Sequence, residues 1–258
     1  MHIPGLAPDI LFHIGSMPIT NTMINTWLAL IILFIIGFFI KKNIAIRPGK
    51  FQNAFEYFLE AILGLFDQVT GKREKTLKFL PLVGSIFFFI LLSNWLGLLP
   101  GTGSITVGHN PLLRPANTDL NLVLAMTLVS LIASHVLGLF AVGFFAYFGK
   151  FIQIKPFILS FKKGPIAVFT AFVEMFVGIL EIISEMAKAL SLTFRLFGNI
   201  FAGEVLIVVM TSLVAFLVPT PFMLLELLVG LIQAGVFSIL TLVYLTVATS
   251  EPHGAESH

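Results

Sequence analysis

"PIAVFTAFVEMFVGILEIISEMAKALSLTFRLFGNIFAGEVLIVVMTSLVAFLV", residues 165–218, decides the architecture. The tract is 54 residues long, and after its opening Pro165 it contains no proline and no charged loop. As one helix it would measure about 81 Å at ~1.5 Å per residue, against a hydrocarbon core of ~30 Å. Ordinary tilts reach only about 40°. The tract must therefore either break or cross a membrane very obliquely, and an oblique helix needs protein along much of one side.

The flanking sequence agrees with a membrane setting. Of 258 residues, 57% are hydrophobic and 11% charged, about half the charge of a soluble domain, and the mean hydropathy is +1.01. Apolar tracts lie at 22–40, 79–99, 119–149, 165–218 and 221–248. Lipid offers backbone groups no partner, so these tracts predict helices. The fold class expected is all-α and polytopic, with five crossings in a single membrane domain. There is no cysteine, hence no disulfide framework and no thiolate metal site. A net charge of +2 gives no footprint for nucleic acid. The first apolar run, Trp27–Ile40, ends in Lys41-Lys42 and follows no basic leader, which reads as a retained anchor.

Basic residues set the orientation. Eight lie in 41–78 and four in 150–163, whereas the 100–118 loop holds only Arg114. The positive-inside rule makes the first two segments cytoplasmic. That predicts an outer N-terminal segment (1–21), a first span (22–40), a helical hairpin (79–149), a second, long hairpin (165–248) and a cytoplasmic tail (249–258). The tail, "SEPHGAESH", has two histidines but reads as solvated. In 51–70, Phe51, Phe55, Phe58, Ile62, Leu65 and Val69 recur at helical spacing, with Gln52, Glu56, Glu60 and Asp67 largely off that stripe. The pattern is that of an amphipathic helix lying on the cytoplasmic surface or against a soluble partner.

The long tract carries a polar lane. At about 100° per residue, Glu181, Ser184, Lys188, Ser191, Arg195 and Asn199 fall within an arc of about 80°; Glu174 and Glu185 border it, and Glu204 lies opposite. Charges at mid-bilayer cost roughly 2.5–3.5 kcal/mol on insertion scales, so they face a partner or a wet cavity. Lys188 has Glu185 three residues away and pairs with it or tunes a polar path. Arg195 has no acid at i±3 or i±4, so its counter-charge must come from another helix or chain. On the last tract, Glu226 and Gln233 share a face with Tyr244; Gln233 also reads as a core amide. Carboxylates occur on both sides of Arg195 in depth: Glu204, Glu226 and Asp119 outward, Glu174, Glu181 and Glu185 inward. A fixed cation between two acidic vestibules suits exchange of a proton on and off a moving partner.

Four stretches carry a family resemblance: "SLTFRLFGNIFAGE" (191–204), "SNWLGLLPG" (93–101), "PANTDLNL" (115–122) and "LLVGLIQAGVFSILTLVYL" (227–245). The chain resembles the subunit a family of F-type rotary ATP synthases over nearly its whole length. The resemblance implies a proton-channel stator subunit with no catalytic role of its own. It would provide two offset half-channels that load and unload protons on the carboxylates of a rotating ring of c subunits. It implies that Arg195 faces that ring and separates the half-channels, and that Asn199 and Gln233 surround it. Glu204, Glu226 and Asp119 would line the outer side and Glu181 the cytoplasmic exit, with Lys188, Glu185 and Ser184 available to tune that exit. It further implies peripheral-stalk b subunits and other synthase subunits as partners, a long tilted final hairpin against the ring, no cofactor, and a bacterial plasma membrane location. Two glutamates on the outer side would also suit Na⁺; protons are expected. No glycine-rich phosphate loop is present. The rival reading is a secondary cation/proton transporter, which would show inverted repeats and broken helices.

Overall fold

The computed structural model describes residues 5–45, 48–99, 105–107, 110–144, 147, 165–214 and 218–250. The 150–163 loop and the last eight residues of the expected tail lie outside them. Five of the helices are long and apolar enough to cross a membrane.

Chain order begins with a hairpin that composition alone did not announce. Strands β1 (Ile10–Ile14) and β2 (Met17–Thr20) pair antiparallel around Gly15. The hairpin leads directly into α1 (Asn21–Asn43), whose first turn is capped by the Thr20 hydroxyl accepting from the Met23 N–H at 3.3 Å. Lys41 and Lys42 sit in its last turn, where cations offset the helix dipole. The amphipathic stretch forms α2 (Lys50–Thr70) and closes on Gly71, which takes the left-handed φ of 71° that a side chain disfavours.

Helix α3 (Arg73–Gly97) starts six residues before the apolar tract, because the basic Arg73–Lys78 segment continues the same helix. It tolerates Pro81 internally; the Ser85 hydroxyl donates to the Pro81 carbonyl at 2.5 Å. A short hairpin, β3 (Thr106–Val107) with β4 (Asn110–Pro111), and a 3-10 turn (Ala116–Thr118) follow. Then α4 (Leu120–Val142) ends at Gly143, φ 91°, seven residues short of the expected tract. The 165–218 tract resolves in favour of continuity. It is one helix, α5 (Pro165–Leu213), of 49 residues. The last helix, α6, covers Pro219–Thr249.

The described chain falls into two compact units. The first comprises residues up to Met126 with Thr193–Val243; the second comprises Thr127–Leu192 with the chain from Tyr244 onward. In the first unit α3 is the central helix and packs on α1 and α2. Its Val83, Phe87, Ile90 and Leu91 are buried, and Phe88 stacks on Phe55 of α2 with ring centroids 6.0 Å apart. The apolar stripe of α2 is thus partly spent on protein. Arg73 clamps the other side of the α2–α3 turn, bonding Asp67 at 2.7 Å and Glu60 at 2.6 Å. In α6 the buried positions Glu226, Gly230, Gln233, Ala234, Phe237, Ser238, Thr241 and Leu242 recur every three or four residues, one helical face turned inward.

Candidate functional site

In the first unit Arg195 is exposed, and it makes no hydrogen bond or ion pair with any described residue. Its neighbours Leu192, Thr193, Leu196, Phe197 and Ile200 are buried, so α5 is anchored on one side and presents the guanidinium on the other. Asn199, one turn on, is also exposed. The counter-charge that the sequence demanded is therefore absent from the described part of this polypeptide.

Glu204 behaves oppositely. Its two carboxylate oxygens accept from Nε of Arg114 at 2.9 and 3.0 Å. Arg114 is only 2% exposed. Its two Nη groups donate to the backbone carbonyls of Ala7 (3.2 Å) and Gly5 (2.9 Å). The guanidinium carbon also lies 5.9 Å from the centroid of the Phe201 ring. One buried cation thus ties the N-terminal segment, the 105–118 loop and α5 together.

Glu226 of α6 lies against Gly203 of α5; a Cβ on that glycine would overlap the carboxyl. Glycine is therefore what lets the acid nest beside the helix, next in sequence to Glu204. Glu226 is 7% exposed, and its Oε1 has no hydrogen-bond partner among the described residues. Gln233 is buried on the same face, two turns further along α6. Asp119 plays a local part: Oδ1 accepts from the Asn121 N–H at 2.9 Å at the start of α4, and Oδ2 accepts from the Thr22 hydroxyl at 3.2 Å.

The same unit holds a set of buried amides. Nδ2 of Asn25 donates to the Arg114 carbonyl at 2.8 Å, Asn117 to Oδ1 of Asn94 at 2.7 Å, and Asn94 to the Gly230 carbonyl at 3.3 Å. Trp95 Nε1 donates to the Leu227 carbonyl at 3.1 Å. Asn25 Oδ1, Ser93 Oγ, Asn117 Oδ1 and Ser238 Oγ are buried without partners among the described residues. Buried oxygens with spare capacity are the groups that bind ordered water.

In the second unit the expected Lys188–Glu185 pair forms at 2.7 Å. Lys188 also lies over the Tyr244 ring at 5.7 Å. Ser184 is exposed and Glu181 half-buried. Arg114 and the asparagines are the site residues that sequence reasoning passed over. The signal available was a lone basic residue in the loop "PLLRPANTD" (111–119), otherwise without charge until its last position.

Comparison with known proteins shows the family. A profile of the ATP synthase A chain family matches residues 23–246. Similar proteins include ATP synthase subunit a of Moorella thermoacetica, 32% identical over 240 residues and covering 93% of this chain and 95% of that one. ATP synthase subunit a 2 of a Bradyrhizobium species is 31% identical over 248 residues, covering 96% and 97%. The chloroplastic ATP synthase subunit a of Bigelowiella natans is 33% identical over 235 residues, covering 90% and 87%.

Proposed function

The chain belongs to the ATP synthase A chain family and is the membrane-embedded proton-channel stator subunit of an F-type ATP synthase, and we propose that Arg195 is the divider between its two half-channels. On this reading the exposed guanidinium meets, one after another, the carboxylates of a rotating ring of c subunits. The observation that carries it is the Arg195 side chain turned outward from a well-anchored helix with no partner among the described residues.

The energetics suit the task. A ring carboxylate within ~4 Å of the arginine gains about 4 kcal/mol in its ionised form at an effective dielectric near 20, roughly three pKa units. The proton is stripped there. Away from the arginine, in lipid, desolvation drives the same acid neutral. Arginine itself stays charged throughout. Protons enter from the outside by way of Glu204 and Glu226 and leave to the cytoplasm past Glu181, with Asn199 and Gln233 beside the exchange point. The membrane potential supplies about 2.3 kcal/mol per charge per 100 mV. The subunit itself performs no phosphate chemistry. Peripheral-stalk b subunits hold it against the ring in a bacterial plasma membrane, with the N-terminus outside and the C-terminus cytoplasmic.

The test is Arg195→Ala. The complex is expected to assemble at normal abundance, because the side chain makes no hydrogen bond or ion pair with a described residue, while ATP synthesis driven by a proton gradient is lost. Coupled synthesis at the unmodified rate would refute the role. Failure to assemble would instead mark Arg195 as structural.

A further inference from the structure

The second unit holds a histidine–tyrosine pair that the divider mechanism does not use. His135 sits on α4, in the part of that helix near Val142. Its Nδ1 is hydrogen-bonded to the Tyr147 hydroxyl at 2.5 Å, and the two rings stand edge to face with centroids 6.1 Å apart. Tyr147 is 7% exposed. Its ring lies against Gly138, where a Cβ would stand 2.7 Å from Tyr147 Cε2 and 2.8 Å from the Ala248 carbonyl. The glycine is what admits the ring between α4 and the end of α6.

Two acids of α5 act on this hydroxyl. Burial first, then the charges of Glu185 and Glu181, push the Tyr147 phenol above its ordinary value. Glu185 in turn holds Lys188, whose ammonium rests over Tyr244 of α6. Among the described residues, His135 of α4 bonds the hydroxyl and Glu181 and Glu185 of α5 act on it, with Lys188 paired to Glu185 and lying over Tyr244 of α6. Of these, histidine is the type whose charge changes near neutral pH.

We infer that His135 and Tyr147 form a proton-transfer station beside Glu181 and Glu185, a site that accepts protons from these carboxyls and passes them on toward the cytoplasm. This rests on the half-channel reading above and names a further step in its exit branch. The step balances as a relay. A carboxylic acid of Glu181 or Glu185 gives its proton to the Tyr147 oxygen, through a water where the gap exceeds hydrogen-bond length. The phenolic proton moves to Nδ1 of His135. One O–H bond breaks at the carboxyl. At the phenol one O–H breaks as another forms, and one N–H forms at the imidazole. The result is a carboxylate and an imidazolium, with no other reactant needed.

The experiment uses the assembled synthase in vesicles, with His135→Asn, which keeps an acceptor near Nδ1 but cannot titrate, and Tyr147→Phe, which keeps the ring on Gly138. Proton flux through the membrane sector is read against pH on the cytoplasmic side. The unmodified complex is expected to show an inflection in the neutral range, and each variant to lose it while assembling normally. An inflection that persists in both variants would overturn the station. Arg195→Ala is run alongside: if it abolishes coupled flux while the inflection is unmoved by the other two changes, the station alone fails. If Arg195→Ala leaves coupled flux intact, the divider reading fails with it.

Discussion

Removing the Arg114 guanidinium tests the Glu204 end of the site most directly, because one carboxylate, two backbone carbonyls and a phenyl ring meet on one buried cation. Arg114→Met keeps the aliphatic bulk and deletes the charge. Glu204, whose side chain is 14% exposed, then loses the donor shared by both of its oxygens. Deleting one partner of a buried pair costs about 3–5 kcal/mol, because the other charge is left uncompensated. The carbonyls of Gly5 and Ala7 also lose their donors, but both residues are exposed and rehydrate. They add little to the roughly 1–3 kcal/mol range that a buried orphan would cost. The loss should therefore sit almost wholly on Glu204. Introducing Glu204→Gln into the Arg114→Met background is then expected to recover about 2–3 kcal/mol, the size of a strong pairwise coupling. Reversible unfolding in mixed micelles of the single and double variants measures the cycle. Hydrogen exchange over residues 5–20 should accelerate with Arg114→Met, since the tie to the N-terminal segment is gone. Arg114→Lys should fall between, because one ammonium cannot serve a carboxylate and two carbonyls in a fixed fork. Additivity of the two single changes to within about 0.5 kcal/mol would refute the coupling.

Gly203→Ala places a methyl on the Glu226 carboxyl; it is expected to cost about 1–3 kcal/mol by overpacking and to slow proton flux in vesicles, with Glu226→Ser restoring stability but not flux. Asn117→Leu strands the buried Oδ1 of Asn94 and should cost about 1–3 kcal/mol, read as a lower unfolding midpoint; an unchanged midpoint would remove the amide network as a structural tie. The Thr76 hydroxyl and the Arg73 guanidinium hold the Asp67 carboxyl below the usual carboxylate range. Its contribution is therefore complete above the unfolded value and fades as pH falls through the lower folded one. Exchange protection of α2 should stay flat from neutral pH down to about 5 and weaken only below about pH 4; weakening between pH 6 and 7 would contradict the assignment.

The helices were legible because membrane insertion writes a strong local signal: long apolar runs bounded by lysines and arginines predicted all five long helices, with ends displaced by up to seven residues, and the spacing of Phe55, Phe58 and Ile62 predicted α2. The lane around Arg195 was legible for the same reason, since a polar side chain in a spanning helix stands out against its neighbours. The Lys188–Glu185 pair needed only a three-residue offset. Other contacts join distant positions. Arg114 and Glu204 are 90 residues apart, Asn94 and Gly230 are 136 apart, and no periodicity encodes either. The hairpin at residues 10–20 escaped notice because its strands are short and largely exposed, without the alternation that a buried face imposes. Asp119 sat in a motif that suggested an outer-channel role. Its placement before the first turn of α4 equally made it a helix cap, and that contact is made.

The unbroken length of α5 carries a consequence for the membrane voltage. A helix of 49 residues measures about 74 Å along its own path, far longer than ~30 Å of hydrocarbon is thick, so it either inclines steeply or reaches beyond the lipid. On the divider reading proposed above, an inclined α5 lets water approach Arg195 from each side through less than a full leaflet of oil. The electrical drop would then fall across the dry collar around the guanidinium, and the same millivolts would act there as a steeper field, gathered onto the few ångströms where the proton is proposed to change hands.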